Sequence, residues 1–186
     1  MTKKEVRDYI KNLISLNKNK LSDFSTSICK NVINSAVYKE SEILLAYMAL
    51  NDEVNLSLLI QNAIDSKKQV YIPRIIPDTN KMIFYKYNPE KIKEGSFGIL
   101  EPDEENSEFE IKSYKEKILV IVPGRAFTKT GSRIGRGKGF YDNFLNEICI
   151  KNNSNLKTAG VCFSFQILEN LPLEPHDKKV NFVISE

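Results

Sequence analysis

The sequence has few of the residues on which cross-links and many metal sites depend. Its 186 residues include no tryptophan, one histidine and three cysteines, Cys29, Cys149 and Cys162. The cysteines are odd in number, widely separated and form no Cys-x-x-Cys pair, which argues against a disulfide framework and a structural zinc site. This composition is typical of a reducing compartment, and we expect the protein to be cytoplasmic.

Long apolar runs are also missing. The longest, Ile43 to Leu50, has eight residues, whereas a membrane span needs roughly 18 or more. The N-terminal segment lacks the apolar core that a signal peptide requires. The formal charge of +3 is too small to indicate binding to nucleic acid or to a membrane. We therefore expect a soluble protein without nucleic-acid or membrane partners, and we expect a monomer.

Apolar periodicity instead alternates between helix and strand. In the first half, the predicted elements are a helix over Lys3–Leu16, a helix that begins near Ser22 or Asp23 and turns Ala36 inward, a central strand over Ile43–Ala49, a helix that is marked by Leu56 to Ile64 and ends in Ser66–Lys68, a strand over Gln69–Ile72 that stops at Pro73, and a strand over Met82–Tyr87. Strand, helix and strand within about thirty residues is the βαβ pattern of parallel sheets.

The second half begins with a long polar connection over residues 88–117. Within it, Glu101–Glu110 contains six acidic residues and no basic one, and we expect a solvated loop there. The elements that follow are a strand over Ile118–Val122, a helix from Phe140, and closing strands over Thr158–Ser164 and Asn181–Ser185. We predict one domain, residues 1–186, with the α/β fold of a three-layer α/β/α sandwich around a mostly parallel sheet. Ligands of such folds bind at the carboxyl ends of the strands.

Glycine and basic residues concentrate between the Ile118 strand and the Phe140 helix. Five of the eight glycines lie between Gly124 and Gly139, interleaved with Arg133, Arg136 and Lys138. The free N–H groups and the dipole of a helix N-terminus attract anions, and adjacent guanidinium and ammonium groups favour phosphate. This glycine-basic loop, residues 123–139, therefore predicts a phosphate site.

Generic phosphate motifs do not account for the loop. A P-loop would need Ser or Thr at Gly139 and Gly at Ser132, and a dinucleotide fingerprint would need Gly at Phe140. By spacing alone, a basic solvated loop is the competing interpretation.

The longer pattern is more specific. Gly131-Ser-Arg-Ile-Gly-Arg-Gly-Lys-Gly-Phe-Tyr-Asp142, preceded by Val-Pro-Gly-Arg-Ala-Phe127, resembles the signature of the 5-formyltetrahydrofolate cyclo-ligase (methenyltetrahydrofolate synthetase) family. The resemblance extends, in order along the chain, to Lys3–Arg7, Asn51–Val54, Phe97–Pro102 and Leu171–Asp177. Two positions depart from the family pattern. Arg125 stands where an apolar residue is usual, and Phe140 replaces the first of two tyrosines.

The resemblance implies a sheet like that of sugar-phosphate isomerases and CoA transferases. It also implies ATP-dependent cyclisation of 5-formyltetrahydrofolate to 5,10-methenyltetrahydrofolate, with Mg²⁺ as cofactor, ATP as co-substrate and reduced folate as substrate. The formyl oxygen would be phosphorylated and N10 would then attack, with ADP and phosphate released. Arg136 and Lys138 are the implied catalytic residues.

The same resemblance assigns the ligand contacts. The implied ATP contacts are Lys3, Arg7, Arg133, Ile134, Gly135, Arg136, Gly137, Lys138, Gly139, Phe140 and Tyr141. The implied substrate contacts are Met48, Glu53, Arg136, Gly137, Lys138, Gly139 and Phe140. Asp142 and Asp177 are the implied metal ligands. Tyr141 and Phe97 could supply flat walls for the folate rings.

Several of these residues also have a plainer interpretation. Lys3 and Arg7 could be surface charges, and Met48 could be a buried strand residue. Asp142 could be an acid that stabilises a helix N-terminus. His176, the only histidine, invites a general-base role, but we interpret it as a neighbour that shapes the loop of Asp177.

Two other classes of protein compete with the folate enzyme. An RNA-binding module could use the glycine-basic loop, but basic residues interleaved with aromatics on an exposed sheet are missing. A small-molecule kinase would lack a P-loop, and a phosphosugar isomerase would leave Lys3 and Arg7 without a phosphate to bind.

Overall fold

The computed structural model describes residues 1–95, 98, 100–103, 105–110, 115–151, 155–175 and 177–186, without the side chains of 149–151. Phe97 and His176 lie outside these residues, so their predicted roles stay predictions. The helices are α1 (Lys3–Leu16), α2 (Leu21–Asn34), α3 (Ala36–Glu40), α4 (Ser57–Asp65) and α5 (Phe140–Lys151). The strands are β1 (Ile43–Leu45), β2 (Gln69–Ile75), β3 (Met82–Lys86), β4 (Ile92–Glu94), β5 (Leu100–Pro102), β6 (Ile118–Val122), β7 (Ala126–Phe127), β8 (Arg133–Ile134), β9 (Leu156–Val161) and β10 (Phe182–Ile184).

The N-terminal helix has the predicted bounds. Thr2 and Glu5 form a capping box that satisfies free N–H groups of the first turn. Val6, Ile10 and Ile14 are buried at helical spacing. Because the helix begins at Lys3, the charged side chains of Lys3 and Arg7 belong to its first two turns.

The second helix differs from the prediction at both ends. It begins at Leu21 rather than at Ser22 or Asp23, and its N-cap Lys20 makes no side-chain capping bond. It ends at Asn34, because Ser35 takes an extended conformation and caps the short helix α3 through the N–H of Tyr38. The predicted inward position of Ala36 is wrong, since Ala36 is exposed in the first turn of α3.

Six strands form the central sheet in the order β10-β9-β6-β1-β2-β3. All neighbours are parallel except β2 and β3, which pair antiparallel. The predicted βαβ unit is therefore confirmed as β1-α4-β2. Strand β1 is central, as predicted, but ends at Leu45 instead of Ala49. The closing strands are also shifted from the predicted bounds, to β9 and β10.

Strand β2 does not stop at Pro73, as predicted, but continues to Ile75. Its Val70 oxygen accepts a hydrogen bond from Tyr87 on one side, and its Tyr71 oxygen accepts one from Ala46 on the other. This alternation directs the nitrogen of Pro73 to the side of β1, beyond the end of β1 at Leu45. Proline is tolerated there because that edge needs no donor.

The polar connection over 88–117 contains a structure that the sequence did not predict. Strands β4 and β5 pair there as a small antiparallel hairpin. The acidic run is not wholly solvated, because Glu101 and Phe109 are buried.

The two faces of the sheet have separate cores. Side chains of α1, α2 and α4 pack on one face against residues such as Leu44 and Leu119. Helix α5 packs on the other face through Phe144, Leu145 and Ile148. Helices on both faces confirm the predicted three-layer α/β sandwich. No helix within the described ranges is long and apolar enough to cross a membrane.

Candidate active site

A pocket of about 460 Å³ opens at the carboxyl end of the neighbouring strands β1 and β6. Parallel strands end at the same edge, so the turn after β1 and the loop after β6 meet there. The lining residues come from the β1 turn, β2, β3, the β4–β5 hairpin, the glycine-basic loop and the first turn of α5. They are Tyr47, Met48, Leu50, Glu53, Pro73, Ile75, Met82, Glu101, Pro123, Gly124, Arg133, Gly135, Arg136, Gly137, Lys138, Gly139, Phe140, Tyr141 and Asp142.

The glycine-basic loop has a folded base and an open tip. Its base is the two-stranded ribbon of β7 and β8. At the tip, Gly137 and Gly139 have φ of +100° and +77°, a left-handed conformation that side chains disfavour. No described atom lies within 4 Å of where a Cβ of Gly139 would stand. Conformation, not crowding, therefore requires glycine at 139, and the backbone there remains accessible to a ligand.

Arg136 crosses the pocket mouth to the turn after β1. Its Nε donates to Oε1 of Glu53 at 2.8 Å, and its Nη2 pairs with Asp52. Asp52 also pairs with Nη2 of Arg125 at 2.7 Å, so one carboxylate joins two arginines. Burial alone would raise the pKa of Asp52, but the hydrogen bonds from Arg136 and Arg125 outweigh it and lower the pKa. Burial opposes the charge of Arg136, but Glu53 and Asp52 raise its pKa overall.

Arg133 has a different environment in the same loop. Its side chain is 2% exposed, and its Nη2 pairs with Oδ1 of Asp142 at 2.6 Å. Its Nη1 donates to the Pro123 oxygen at 3.3 Å. Asp142 lies in the first turn of α5, so this ion pair ties β8 to the start of the helix.

Lys138 lines the pocket with an exposed side chain. Among the described residues it has no ion-pair partner, in contrast to Arg133 and Arg136. It is therefore a cation available to an anionic ligand without the loss of a protein contact.

The predicted N-terminal cations occupy a neighbouring position. Nε of Arg7 donates to the Gly135 oxygen at 2.9 Å, so Arg7 supports the loop from the side of α1. Nζ of Lys3 pairs with Asp177 at 2.7 Å and with Glu174 at 3.0 Å. Burial would lower the pKa of Lys3, but these two carboxylates raise it overall. Neither Lys3 nor Asp177 lines the pocket, so the structure joins Asp177 to Lys3 rather than to Asp142.

Tyrosines form one wall of the pocket. The Tyr141 hydroxyl is buried and has no hydrogen-bond partner among the described residues. The Tyr47 hydroxyl, by contrast, donates to the Val54 oxygen at 3.0 Å. Burial raises the pKa of both hydroxyls, so both are neutral donors at physiological pH.

The remaining predicted residues divide between pocket and core. Met48 and Phe140 line the pocket and are half-buried. The Ile134 side chain lies in the core, and its oxygen accepts from the Arg125 N–H, so its side chain does not face the pocket.

Sequence reasoning missed Asp52, Arg125, Tyr47 and Glu101. Asp52 lies within the Asn51–Val54 motif and Glu101 within the Phe97–Pro102 motif, but neither motif by itself indicates a role for these acids. Arg125 departs from the family pattern, and the sequence contains no sign of its partner Asp52, 73 residues away.

The fold and the site define the class of protein. A mostly parallel α/β sheet carries, at the carboxyl ends of its strands, a pocket with apolar walls and a basic glycine-rich rim. This is the arrangement of an enzyme that binds an anionic small molecule.

Comparisons with known proteins identify the family within this class of enzymes. A sequence model of the 5-formyltetrahydrofolate cyclo-ligase family matches residues 2–186. A probable 5-formyltetrahydrofolate cyclo-ligase of Schizosaccharomyces pombe is 31% identical over 171 residues, which is 87% of this chain and 83% of that protein. The NMR structure of Aquifex aeolicus 5,10-methenyltetrahydrofolate synthetase has a TM-score of 0.80 at 27% identity, over 99% of this chain and 89% of that one. A Mycoplasma pneumoniae 5,10-methenyltetrahydrofolate synthetase, with a TM-score of 0.75 and 20% identity over 100% and 99% of the two chains, shares the fold.

The chain belongs to the 5-formyltetrahydrofolate cyclo-ligase family. It is an enzyme, and its reaction is the ATP-dependent cyclisation of 5-formyltetrahydrofolate to 5,10-methenyltetrahydrofolate. The predicted family and activity are thereby confirmed.

Proposed function

We propose that the pocket binds the ring system of the reduced folate and that the tip of the glycine-basic loop binds the ATP phosphates. The observation that carries this assignment is the meeting of Glu53, Arg136 and Lys138 at one pocket. They supply an acceptor for pteridine N–H groups and two cations for phosphate. Met48, Met82, Phe140 and Tyr141 add apolar wall of the kind that flat rings need.

The phosphate side of the proposal depends on the backbone as much as on charge. Helix α5 begins at Phe140, directly after Gly139, and presents its unpaired N–H groups to the loop. Arg7 supports this loop through Gly135. With Lys138 unpaired and Arg136 able to exchange its carboxylate partners for phosphate, the loop can enclose a triphosphate chain. Lys3 lies one helical turn before Arg7 on α1 and would extend this cation set.

The chemistry fits a site of positioned charges. The γ-phosphoryl group is transferred to the formyl oxygen, which converts that oxygen into a good leaving group. N10 then attacks the formyl carbon, the carbon–oxygen bond breaks and phosphate departs, while N10 loses its proton. Charge develops on the transferred phosphoryl group, and Arg136 and Lys138 would stabilise it there.

One of the two proposed magnesium ligands, Asp142, is at the pocket. Asp142 lines the pocket, and only its Oδ1 is engaged by Arg133, which leaves the second oxygen for a cation. Mg²⁺ in nucleotide sites is usually held by one or two carboxylates together with phosphates. We assign this role to Asp142 at the pocket and to Asp177, which pairs with Lys3 outside the pocket lining and would have to exchange that partner for the ion. The ion would neutralise phosphate charge during transfer.

The compartment and the oligomeric state complete the proposal. Cys29 and Cys162 are free and buried, which suits a reducing compartment, and we propose a cytoplasmic monomer.

The test is conversion of 5-formyltetrahydrofolate with MgATP, followed by the near-ultraviolet absorbance of the methenyl product and by ADP release. We expect one ADP for each product molecule. Titration calorimetry with MgATP and with RNA, on the same sample, should show binding of the nucleotide only. A folded sample that forms no product, or that binds RNA in place of MgATP, would contradict the proposal.

A further inference from the structure

Glu101 is a buried acid that none of the assigned roles uses. It lies on β5, is 8% exposed and lines the pocket on the side formed by β2 and the β4–β5 hairpin. Glutamate is rarely buried unless a partner compensates its charge. Burial of an acid in this position is therefore unfavourable unless the protein or a ligand compensates its charge.

The described protein groups compensate the charge of the Glu101 carboxylate poorly. Its only hydrogen bond among the described residues is from the Ile75 N–H to Oε1, at a long 3.4 Å. No lysine or arginine of the described part of the chain forms an ion pair with it. Its Oε2 has no described hydrogen-bond donor, and a Cβ added to Gly95 would stand 2.3 Å from that oxygen. The carboxylate thus occupies space that only glycine at position 95 leaves open.

The other pocket glutamate is satisfied by the protein. Glu53 accepts from Arg136 through Oε1 at 2.8 Å and from the Leu50 N–H through Oε2 at 3.0 Å. Among the described residues, Glu101 is therefore the pocket glutamate that retains an unused acceptor oxygen. Pro73, Ile75 and Met82 line the same pocket, and their apolar surfaces would strengthen a hydrogen bond formed there by excluding water.

We propose that Glu101 is a second carboxylate anchor for the reduced folate and accepts a hydrogen bond from an N–H of its ring system. This rests on the proposed function. A 5-acylated tetrahydropterin has N–H donors at N3, at N8 and on the 2-amino group, so two carboxylates can bind one ring without competing. Glu53 and Glu101 would then fix the ring from two sides, which sets the orientation of the formyl group.

The decisive variant is Glu101→Gln. Glutamine keeps an oxygen for the Ile75 N–H but replaces the unused acceptor with an NH₂ donor, which opposes an N–H of the ligand. We expect the Kd for 5-formyltetrahydrofolate, from titration calorimetry, to rise about tenfold or more, because a site built for a hydrogen bond rejects a mismatched partner strongly. The Kd for MgATP and the melting temperature should stay at wild-type values.

The matched control is Glu105→Gln, an exposed acid of the same segment, which should change neither Kd. Gly95→Ala offers a second route, because it displaces the carboxylate while leaving Glu101 in the sequence, and it should also weaken folate binding. An unchanged folate Kd in either variant, provided that it melts like the wild type, would overturn the role of Glu101. A parallel loss of MgATP affinity would do so as well, since it would indicate a structural role. Wild-type protein that binds folate without forming product would instead count against the proposed function.

Discussion

Arg133 and Arg136 are three residues apart in one loop, yet their side chains differ in solvent exposure and in ion-pair partners. Arg133 is 2% exposed and pairs with Asp142, whereas the Arg136 side chain is 33% exposed and pairs with Asp52 and Glu53. A buried pair is costly to break, because it leaves an uncompensated charge out of water. The pair of Arg136 with Asp52, in which both side chains are about one third exposed, is less costly to break, because water can solvate the separated charges.

This difference in exposure indicates two roles, one structural and one in ligand binding, for arginines that belong to the same sequence motif. The Arg133 pair holds the ribbon β7–β8 against the first turn of α5 and so shapes the loop. Arg136 stands at the pocket mouth with partners that a phosphate can replace. We therefore expect Arg133 variants to lose stability and Arg136 variants to lose rate.

The largest effect should follow from Arg133→Met. It removes one partner of a buried ion pair, and we expect the free energy of unfolding to fall by about 3 kcal/mol. Urea denaturation measures this value. The matched control is Arg136→Met, for which we expect a loss below about 1 kcal/mol. Equal losses in both variants would remove the distinction between the two arginines.

Arg136→Ala and Lys138→Ala should each lower kcat by about 10²-fold, because each removes a positioned charge from the transferred phosphoryl group. Steady-state kinetics with both substrates measures the change, and melting curves check the fold. Lys129→Ala, an exposed lysine of the same loop, serves as control and should keep wild-type kcat. A wild-type kcat in both pocket variants would contradict the catalytic role and favour the competing interpretation of a basic solvated loop.

Asp142→Asn tests the carboxylate that Arg133 holds. If Asp142 serves only as the partner of Arg133, Asp142→Asn should lower the free energy of unfolding by about 3 kcal/mol and leave the Mg²⁺ dependence unchanged, because it removes the negative charge of a buried ion pair. If it binds Mg²⁺, the free Mg²⁺ needed for half-maximal activity should rise several-fold, because a hard anionic ligand is lost. Asp177→Asn should behave alike, and the double variant should be less than additive. A magnesium dependence that does not change in folded Asp142→Asn would refute the metal role.

Lys3→Ala should have a smaller effect than the loop variants. Its ammonium group is already paired with Asp177 and Glu174, so we expect a several-fold rise in the KM for ATP and little change in kcat. Lys4→Ala is the control, since Lys4 is exposed on the same turn. A fall in kcat as large as that of Arg136→Ala would place Lys3 among the catalytic residues.

The smallest effect concerns acid stability. The pKa of Asp52 is lowered in the folded state, despite burial, by Arg136 and Arg125. Its stabilising contribution is therefore present above its unfolded pKa, near 3.8, and is lost as the pH falls through the lower folded value. Unfolding of wild type and Asp52→Asn between about pH 2 and pH 6 should show a stability difference that shrinks on acidification. A difference that grows on acidification would have the wrong sign.

Local patterns predicted most of the fold. The helix over Lys3–Leu16 and the strand over Ile118–Val122 have their predicted bounds, because apolar periodicity and β-branched runs are properties of short segments. The predictions were wrong where contact with another segment of the chain determines the local structure. Strand β2 runs through Pro73 because β1 has ended beside it, and the β4–β5 hairpin forms within a segment of weak local signal.

The sequence by itself determined the layered α/β fold, the family and the loop that carries its motif. These depend on spacing along the chain, which folding does not alter. Only the tertiary structure decided which charges meet: Arg133 with Asp142, Arg136 and Arg125 with Asp52, and Lys3 with Asp177. It also decided that Glu101, one acid in an acidic run, is buried at the pocket. Electrostatic pairing depends on distances in space, and residues far apart in the chain carry no local record of them.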